Sequence, residues 1–377
     1  MTQHFDCLIV GAGIVGLAHA LAAHRAGLKT AIIDRDARAA GASVRNFGFI
    51  TVTGQQEGIT WRRAMRSRDV WAEIASQAGI AIHHRGMLMC ARRPEALTVL
   101  EEFAETGMGD GCRILRGTAL WETGEGLRAD LVGALYSPHE LRVESRFAVG
   151  QLTAWLAAQG VTILPRTAAL SVETGRVDTP SGRITADHIV VCPGTDLVSL
   201  YPEVMARRGI TLCKLHMLRV ADPGFSIHAA VMSDLGLVRY LGYSGSASLP
   251  ALRQRLEAEQ PDHLADGIHL IAVQSADGSL VVGDSHHYAD TPDPFQPRAV
   301  DDRILSELSA TMAIDHPDVV ERWVGIYPSG PDTAFTEKIA TGVRLVMVTS
   351  GTGASTAFAI GEETIADLLG KQPSPHS

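Results

Sequence analysis

The chain opens on a four-residue apolar run, Cys7-Leu8-Ile9-Val10, too short for a helix and stopped by glycine, the pattern of a buried strand. Gly11-Ala12-Gly13-Ile14-Val15-Gly16 follows, and an Ala/Leu-rich stretch to Ala26 predicts a helix that Gly27 ends as its C′ residue. Residues 29–33 return to a strand with Asp34 at its end, completing one βαβ unit. Trp61, Ala64, Met65, Trp71 and Ile74 recur on one face of a helix over 61–77. Residues 86–90 read as a strand and 94–106 as another helix. Residues 142–158 predict strand or turn and then a helix ending at Gly160, with strands after it at 161–164 and 168–173. Two further apolar runs stop at glycine. Ile189-Val190-Val191-Cys192 meets Pro193-Gly194, and residues 343–348 run into Ser350-Gly351-Thr352-Gly353 and a closing helix through Leu369. Between them, residues 214–290 alternate short strands with turns, as in a mixed or antiparallel sheet. The Pro- and Ser-containing tail, 370–377, is expected to be disordered.

Length and composition narrow the class. At ~150 residues per domain, 377 residues suggest two domains. Five widely spaced cysteines (Cys7, Cys90, Cys112, Cys192, Cys213) contain no CxxC, which argues against a structural zinc site and a secreted disulfide scaffold. No metal is therefore expected. With 33 basic against 42 acidic residues the net charge is −9, so a nucleic-acid partner is disfavoured. No apolar run approaches the ~18 residues of a membrane span, and no basic leader precedes the first strand. A cytoplasmic protein without a membrane partner is the expectation; oligomeric state is not legible.

Glycine supplies 37 residues, above the ~7% average, and the first three of them have assignable tasks. Gly11 permits the tight turn, Gly13 lets backbone approach a pyrophosphate, and Gly16 allows close helix–strand packing. A pyrophosphate would then rest on the helix N-terminus, near Ala12, Ile14 and Val15. Asp34, 18 residues past Gly16, is placed to accept from ribose hydroxyls, which favours FAD or NAD over NADP; Arg35 beside it weakens that exclusion. The motif alone does not separate FAD from NAD. Glycine-terminated strands in the middle and at the end of the chain imply one nucleotide domain assembled from three separated stretches.

The chain resembles the D-amino-acid oxidase/glycine oxidase/sarcosine oxidase family of FAD enzymes over nearly its whole length. The motif at 11–16, Ala42-Ser43-Val44-Arg45-Asn46-Phe47-Gly48, Val190–Gly194 and Gly351-Thr352-Gly353-Ala354-Ser355 carry the resemblance. Arg45–Gly48, Gly283-Asp284-Ser285-His286-His287-Tyr288 and Gly325-Ile326-Tyr327-Pro328-Ser329-Gly330-Pro331 are similar to a subgroup associated with phosphonate breakdown, which implies an aminophosphonate related to 2-aminoethylphosphonate. The implied fold is α/β: a Rossmann-like FAD-binding domain of the glutathione-reductase type, interleaved with a mixed or antiparallel-sheet α+β substrate domain. The expected division is 1–82, 143–213 and 325–377 for FAD, and 83–142 and 214–324 for substrate.

By resemblance, Ala42, Ser43, Arg45, Asn46 and Phe47 line the path from phosphate to flavin ring, Ala169 contacts adenine, and Cys192 and Gly194 pack near the ADP half. Gly351–Ser355 sets a helix N-terminus against the flavin edge that becomes negative on reduction. Relatives that hold FAD covalently use a His near Arg45 or a Cys near Ile326; neither is present, so FAD is expected to be non-covalent. Arginines that clamp substrate carboxylates in relatives are replaced here at Tyr327 and Thr352, which makes a simple α-amino acid the poorer guess.

The candidate catalytic residues are His286, Tyr327 and Arg45, and the candidate substrate contacts are Tyr327, Ser329, Thr352, Lys214, His216 and Tyr240. His286 and His287 are adjacent in an extended segment and should face opposite sides, so one at most points at the flavin. The segment 326–331 is expected to be a loop. A small anionic amine must find local basic residues against the −9 background. The expected reaction carries hydride from the amine-bearing carbon to flavin N5, with dioxygen as acceptor, and no Asp/His pair is evident as a base. Three readings compete: an oxidase of a small amino acid or N-methyl amine, with Arg219 or Arg239 supplying the missing cation; a flavin-binding sensor or subunit without turnover; and an NAD(P)-dependent dehydrogenase.

Overall fold

The computed structural model describes residues 4–371, so most of the tail expected to be disordered, 372–377, lies outside the described residues. Among these residues, seventeen strands join into one mixed sheet. Its parallel part is centred on His4–Val10, which pairs with Thr30–Ile33 on one side and Gly182–Val191 on the other. Thr162–Leu164 extends it beyond Thr30–Ile33, and Val343–Ser350 lies beyond Gly182–Val191. Three distant stretches thus build one parallel sheet, and its inner strands are apolar because both faces are covered. Leu8, Ile9, Ile32, Ile33, Val190 and Leu345 are all fully buried.

The helices Ile14–Arg25 and Gly353–Leu368 pack together against this sheet. Their backbones meet closely at Gly361, where a Cβ would lie 2.9 Å from the Ala18 carbonyl. Helix Ile59–Ala75 holds the closing helix from outside, through the edge-on Trp71–Phe358 contact and a two-pronged Arg66–Glu362 ion pair. The N-terminus of the closing helix is fixed by a Trp71 Nε1–H bond, 2.8 Å long, to the Ala354 carbonyl.

The remaining strands surround a separate apolar cluster that includes Met87, Leu135, Met217, Val231, Ile271 and Val282. Thr211–Val220 is its spine, antiparallel to Leu280–Gly283 and to Val319–Ala340. Val319–Ala340 pairs along its later half with Val343–Ser350, so one 22-residue strand runs from the second cluster into the parallel sheet. Here the expected loop at 326–331 is corrected: the segment lies within that strand. Its register breaks between Ser329 and Ala334, because Pro328 and Pro331 lack the N–H groups a continuous ladder needs. Helices Leu249–Glu259 and Arg298–Thr311 were not anticipated. The first buries only Leu252 and Leu256, too few to announce a helical face, whereas Val300, Ile304 and Leu308 of the second do keep the period. No helix of the described residues is long and apolar enough to cross a membrane.

Candidate active site

The first strand ends in three glycines with different surroundings. A Cβ at Gly16 would sit 1.8 Å from the Gly11 carbonyl oxygen, and one at Gly11 would meet the Cys192 carbonyl at 2.4 Å. These two glycines bring protein backbone together. At Gly13 the nearest foreign atom is Ser43 Oγ at 3.0 Å, and the residue faces an open cavity. The helix start is braced from two sides: the Ile14 N–H donates to Ser43 Oγ at 2.9 Å and the Ala12 N–H to Asp34 Oδ2 at 2.6 Å. Asp34 also accepts the Asp36 N–H, at 2.8 Å, and a carboxylate keeps further lone pairs for a hydroxyl.

The cavity has a volume of about 430 Å³, within the ~300–1,000 Å³ of ordinary small-molecule sites. It runs from Gly13–Gly16 along Ala42, Ser43, Arg45–Phe47 and Gly194 to the residues Gly351–Ser355 that open the closing helix. Two helix N-termini therefore point backbone N–H groups at the same space, side by side, since a Cβ at Gly353 would lie 3.6 Å from Ile14 Cγ2. Asn46 stiffens the intervening loop, donating from Nδ2 to the Ala42 carbonyl and accepting the Gly48 N–H, each at 2.7 Å. Ser355 Oγ accepts the buried Thr51 N–H at 2.8 Å, and Thr352 Oγ1 bonds Ser350 Oγ at 2.7 Å. An elongated anion matches this cradle of backbone donors and missing side chains.

The far end is walled by charged and phenolic side chains. Arg239 Nη2 donates to Tyr327 OH at 3.2 Å, and both Nη atoms reach Tyr288 OH at 3.3 Å. Among the described residues it has no carboxylate within ion-pair distance. Burial works against its charge, but the phenolic oxygens of Tyr327 and Tyr288 outweigh that and hold the guanidinium above its usual range. Tyr240 OH lies 3.4 Å from His269 Nε2. His269, Asp284 and His286 are all buried and all line the cavity, with ring or carboxylate atoms within 4.8 Å of one another. Burial pushes the Asp284 carboxyl up to about 7, against the pull of Arg239. Burial, assisted by Arg239, keeps both imidazoles neutral well below the ordinary histidine range.

Residues 6–368 match the family model described as FAD dependent oxidoreductase. The chain belongs to that family. A curated relative it matches is the monomeric sarcosine oxidase of Bacillus sp. (strain B-0618), 24% identical over 207 residues; the chain spans about half of that protein's length, 52%, and half of its own is matched. The fold is shared with glycine oxidase from Bacillus cereus ATCC 14579, with TM-score 0.78, 17% identity, and 98% of this chain and 96% of that one covered. It is shared equally with L-proline dehydrogenase from P. horikoshii, with TM-score 0.79, 17% identity, and 100% and 96% covered. The glycines, helix starts and backbone donors of the cradle at 13–16, 42–47 and 351–355 are compatible with the elongated, anionic cofactor of this FAD dependent oxidoreductase.

Most of the residues singled out from the sequence converge on that cavity: Gly13–Gly16, Ala42, Ser43, Arg45–Phe47, Cys192, Gly194, Tyr240, His286, Tyr327, Ser329 and Gly351–Ser355 all line it. Arg45 is exposed at its wall. Others are placed elsewhere. Lys214 and His216 lie on the opposite side of their strand, because alternation turns Leu215 toward the cavity. Lys214 Nζ bonds Asp293 Oδ2 at 2.9 Å, and His216 Nδ1 meets Asp301 Oδ1 at 2.9 Å beneath the helix Arg298–Thr311. Gly48 is required by protein, since a Cβ there would lie 1.8 Å from the Val143 carbonyl. Ala169 is half-buried outside the lining, Arg35 pairs with Asp196 at 2.6 Å, and Arg219 faces Glu144, Asp277 and Glu321. His287 packs against His216, so of the two adjacent histidines only His286 faces the cavity.

The cation that the loop segments lack is present in the wall as Arg239, one of the two arginines the sequence offers from elsewhere. One reading is corrected. The Asp/His combination that was not evident from the sequence is assembled by Asp284, His286 and His269. Asp284 sits inside the Gly283–Tyr288 motif, and His269 is the polar interruption in the apolar run 268–273, but nothing in their spacing joins them.

Proposed function

We propose that this FAD dependent oxidoreductase oxidises a small amine that carries an anionic group, with the anion held by Arg239 and the phenols of Tyr327 and Tyr288. The observation that carries this reading is a half-buried guanidinium in the cavity wall without a carboxylate of its own. A cation left unpaired there is stabilised by an anionic ligand. We favour an aminophosphonate related to 2-aminoethylphosphonate. Its three acceptor oxygens match donors that come from several directions, with Arg45 adding a second cation at the wall and Ser329 and Thr352 adding hydroxyls.

The segments 1–82, 143–213 and 325–377 would hold the cofactor without a covalent link. Gly13–Gly16 and Ser43 would receive its pyrophosphate and Gly351–Ser355 its flavin. When bound, FAD supplies the two-electron acceptor for oxidation of the carbon–nitrogen bond. The protein's part is to fix the anion on Arg239, to bring the amine into the dry end of the cavity, and to keep it unprotonated. The overall conversion we infer is amine plus dioxygen plus water to aldehyde, ammonia and hydrogen peroxide; a secondary amine would release a shorter amine in place of ammonia.

A second reading has its own support. Arg239 can also clamp a carboxylate in two-pronged fashion, so a small amino acid such as glycine or sarcosine becomes a better fit than the loop residues suggested. Anaerobic titration of the holoenzyme with 2-aminoethylphosphonate, its 1-hydroxy and N-methyl derivatives, glycine and sarcosine separates the two. Bleaching of the flavin by a phosphonate supports the first reading. Bleaching by glycine or sarcosine alone replaces it with the second.

A further inference from the structure

The cavity has a second pole. Gly267's carbonyl can only accept, so the 2.8 Å bond to His286 Nδ1 fixes the proton on that nitrogen. The neutral ring therefore presents the lone pair of Nε2, which lies 3.9 Å from Asp284 Oδ2. Asp284 Oδ1 and His269 Nδ1, 3.3 Å apart, are both buried without a hydrogen-bond partner. Such a group leaves donors wanting and acceptors to spare. We propose that Asp284, with His286 Nε2 and His269, binds the ammonium of the substrate and takes its proton before oxidation. This rests on the anionic-amine reading and adds the residues that recognise and deprotonate the amine.

An ammonium suits the site better than a divalent metal. One carboxylate balances one positive charge, and Arg239 in the same cavity wall opposes a second. A tetrahedral nitrogen making ~2.9 Å bonds also reaches acceptors up to ~4.7 Å apart, in keeping with a cluster contained within 4.8 Å. The step balances: an N–H bond breaks, its electron pair stays on nitrogen, and the proton passes to the Asp284 carboxylate. The result is a neutral amine and a neutral acid in a buried place where neither charge is favoured. A carboxyl near 7 suits a base working at neutral pH. The titratable and charged groups around it are His269, His286, Arg239, Tyr240, Cys213, Tyr327 and, more distantly, Tyr288 and His287. Of these, Arg239 stays charged, Tyr240, Tyr327 and Cys213 stay protonated, and His269 and His286 stay neutral, whereas burial raises Asp284 to about 7.

The test uses holoenzyme and two matched probe pairs: 2-aminoethylphosphonate with ethylphosphonate, and glycine with acetate. In wild type, binding measured by calorimetry should favour the amine-bearing member of at least one pair. Asp284→Asn should erase that preference while leaving the amine-free anion bound within about twofold. For whichever probe reduces the flavin, kcat/KM in Asp284→Asn should fall on the order of 10²–10⁴-fold at pH 7. Its rising limb should move from near pH 7 toward the alkaline pKa of the free amine. His286→Asn, which retains the carboxylate, should show a smaller loss in the same direction and guards against misfolding of the first variant. An unchanged preference and pH profile in both variants would overturn the proposal. So would a tightly bound zinc ion, lost in Asp284→Asn, on which activity depends. If neither amine-free anion binds wild type, the anionic-amine reading fails first, and that outcome is distinct from these.

Discussion

The two ends of the cavity are built by different means. At the cofactor end the wall is backbone: Gly13, the loop 42–47, Gly194 and the start of the helix Gly353–Leu368. At the other end it is side chains, with Arg239 just past the short helical turn Asp234–Val238, Tyr327 from the long strand, and His269, Asp284 and His286 from the turns beside Ile271–Gln274 and Leu280–Gly283. Backbone sites depend on what a residue lacks, so they are specified locally by glycine and by helix starts. Side-chain sites depend on which residues the fold brings together. The first end is set by local backbone, while the second is free to differ between proteins that share the fold at 17% identity.

Substitutions at either end should be separable in what they damage. The largest effect is expected from Arg239→Met, which removes the proposed partner of the substrate anion. It should cost about 2–5 kcal/mol in kcat/KM, or at least ~30-fold, measured by steady-state kinetics, with bound flavin undiminished. Arg239→Lys should recover only part, because it restores charge without the two-pronged geometry.

Next comes a pH effect on stability. The folded-state Asp284 carboxyl is raised from 3.8 to about 7 by burial, so the folded protein holds a proton that the unfolded chain releases. That contribution is complete below pH ~4 and is lost as pH rises through ~7. Asp284→Asn should cancel it. The unfolding free energy from thermal melts, variant minus wild type without substrate, should grow from pH 4 to pH 7.5 by about 3 kcal/mol. A difference independent of pH would show that the carboxyl is ionised throughout.

At the cofactor end, Gly13→Val places side-chain atoms beside Ser43 and in the cavity, where the pyrophosphate is proposed to lie. A loss of about 1–3 kcal/mol in FAD affinity is expected, read as flavin released on gel filtration. The fraction that keeps flavin should turn over normally. The smallest effect belongs to Lys214→Met. Its side chain points to Asp293, away from the cavity, so kcat/KM should stay within about twofold and stability should change by about 1 kcal/mol or less.

The same division explains what could be read from the sequence. The strand-glycine-helix unit at 7–27, the glycine-ended strands near 192 and 350, and the closing helix announce themselves in short windows, because period and glycine placement are local properties. The long strand Val319–Ala340 does not, since two prolines and a glycine disguise its middle as a loop while the partners that make it a strand lie a hundred residues away. Lys214 and His216 were attractive as polar residues at a domain junction, but the pleat turns them under the helix Arg298–Thr311. Arg239 and Asp284 are 45 positions apart and carry no shared motif, so only the folded chain sets them in one cavity wall.

The most direct measurement is anaerobic reduction of the wild-type holoenzyme by amines matched in size with and without an acidic group. 2-Aminoethylphosphonate and glycine should be compared with propylamine and methylamine at pH 8, followed by flavin absorbance. At least one acid-bearing amine should bleach the flavin and both neutral amines should fail to, by a factor of at least ~30 in rate. Equal bleaching by a neutral amine would contradict the assignment of Arg239 as the anion pole and with it the two-ended site.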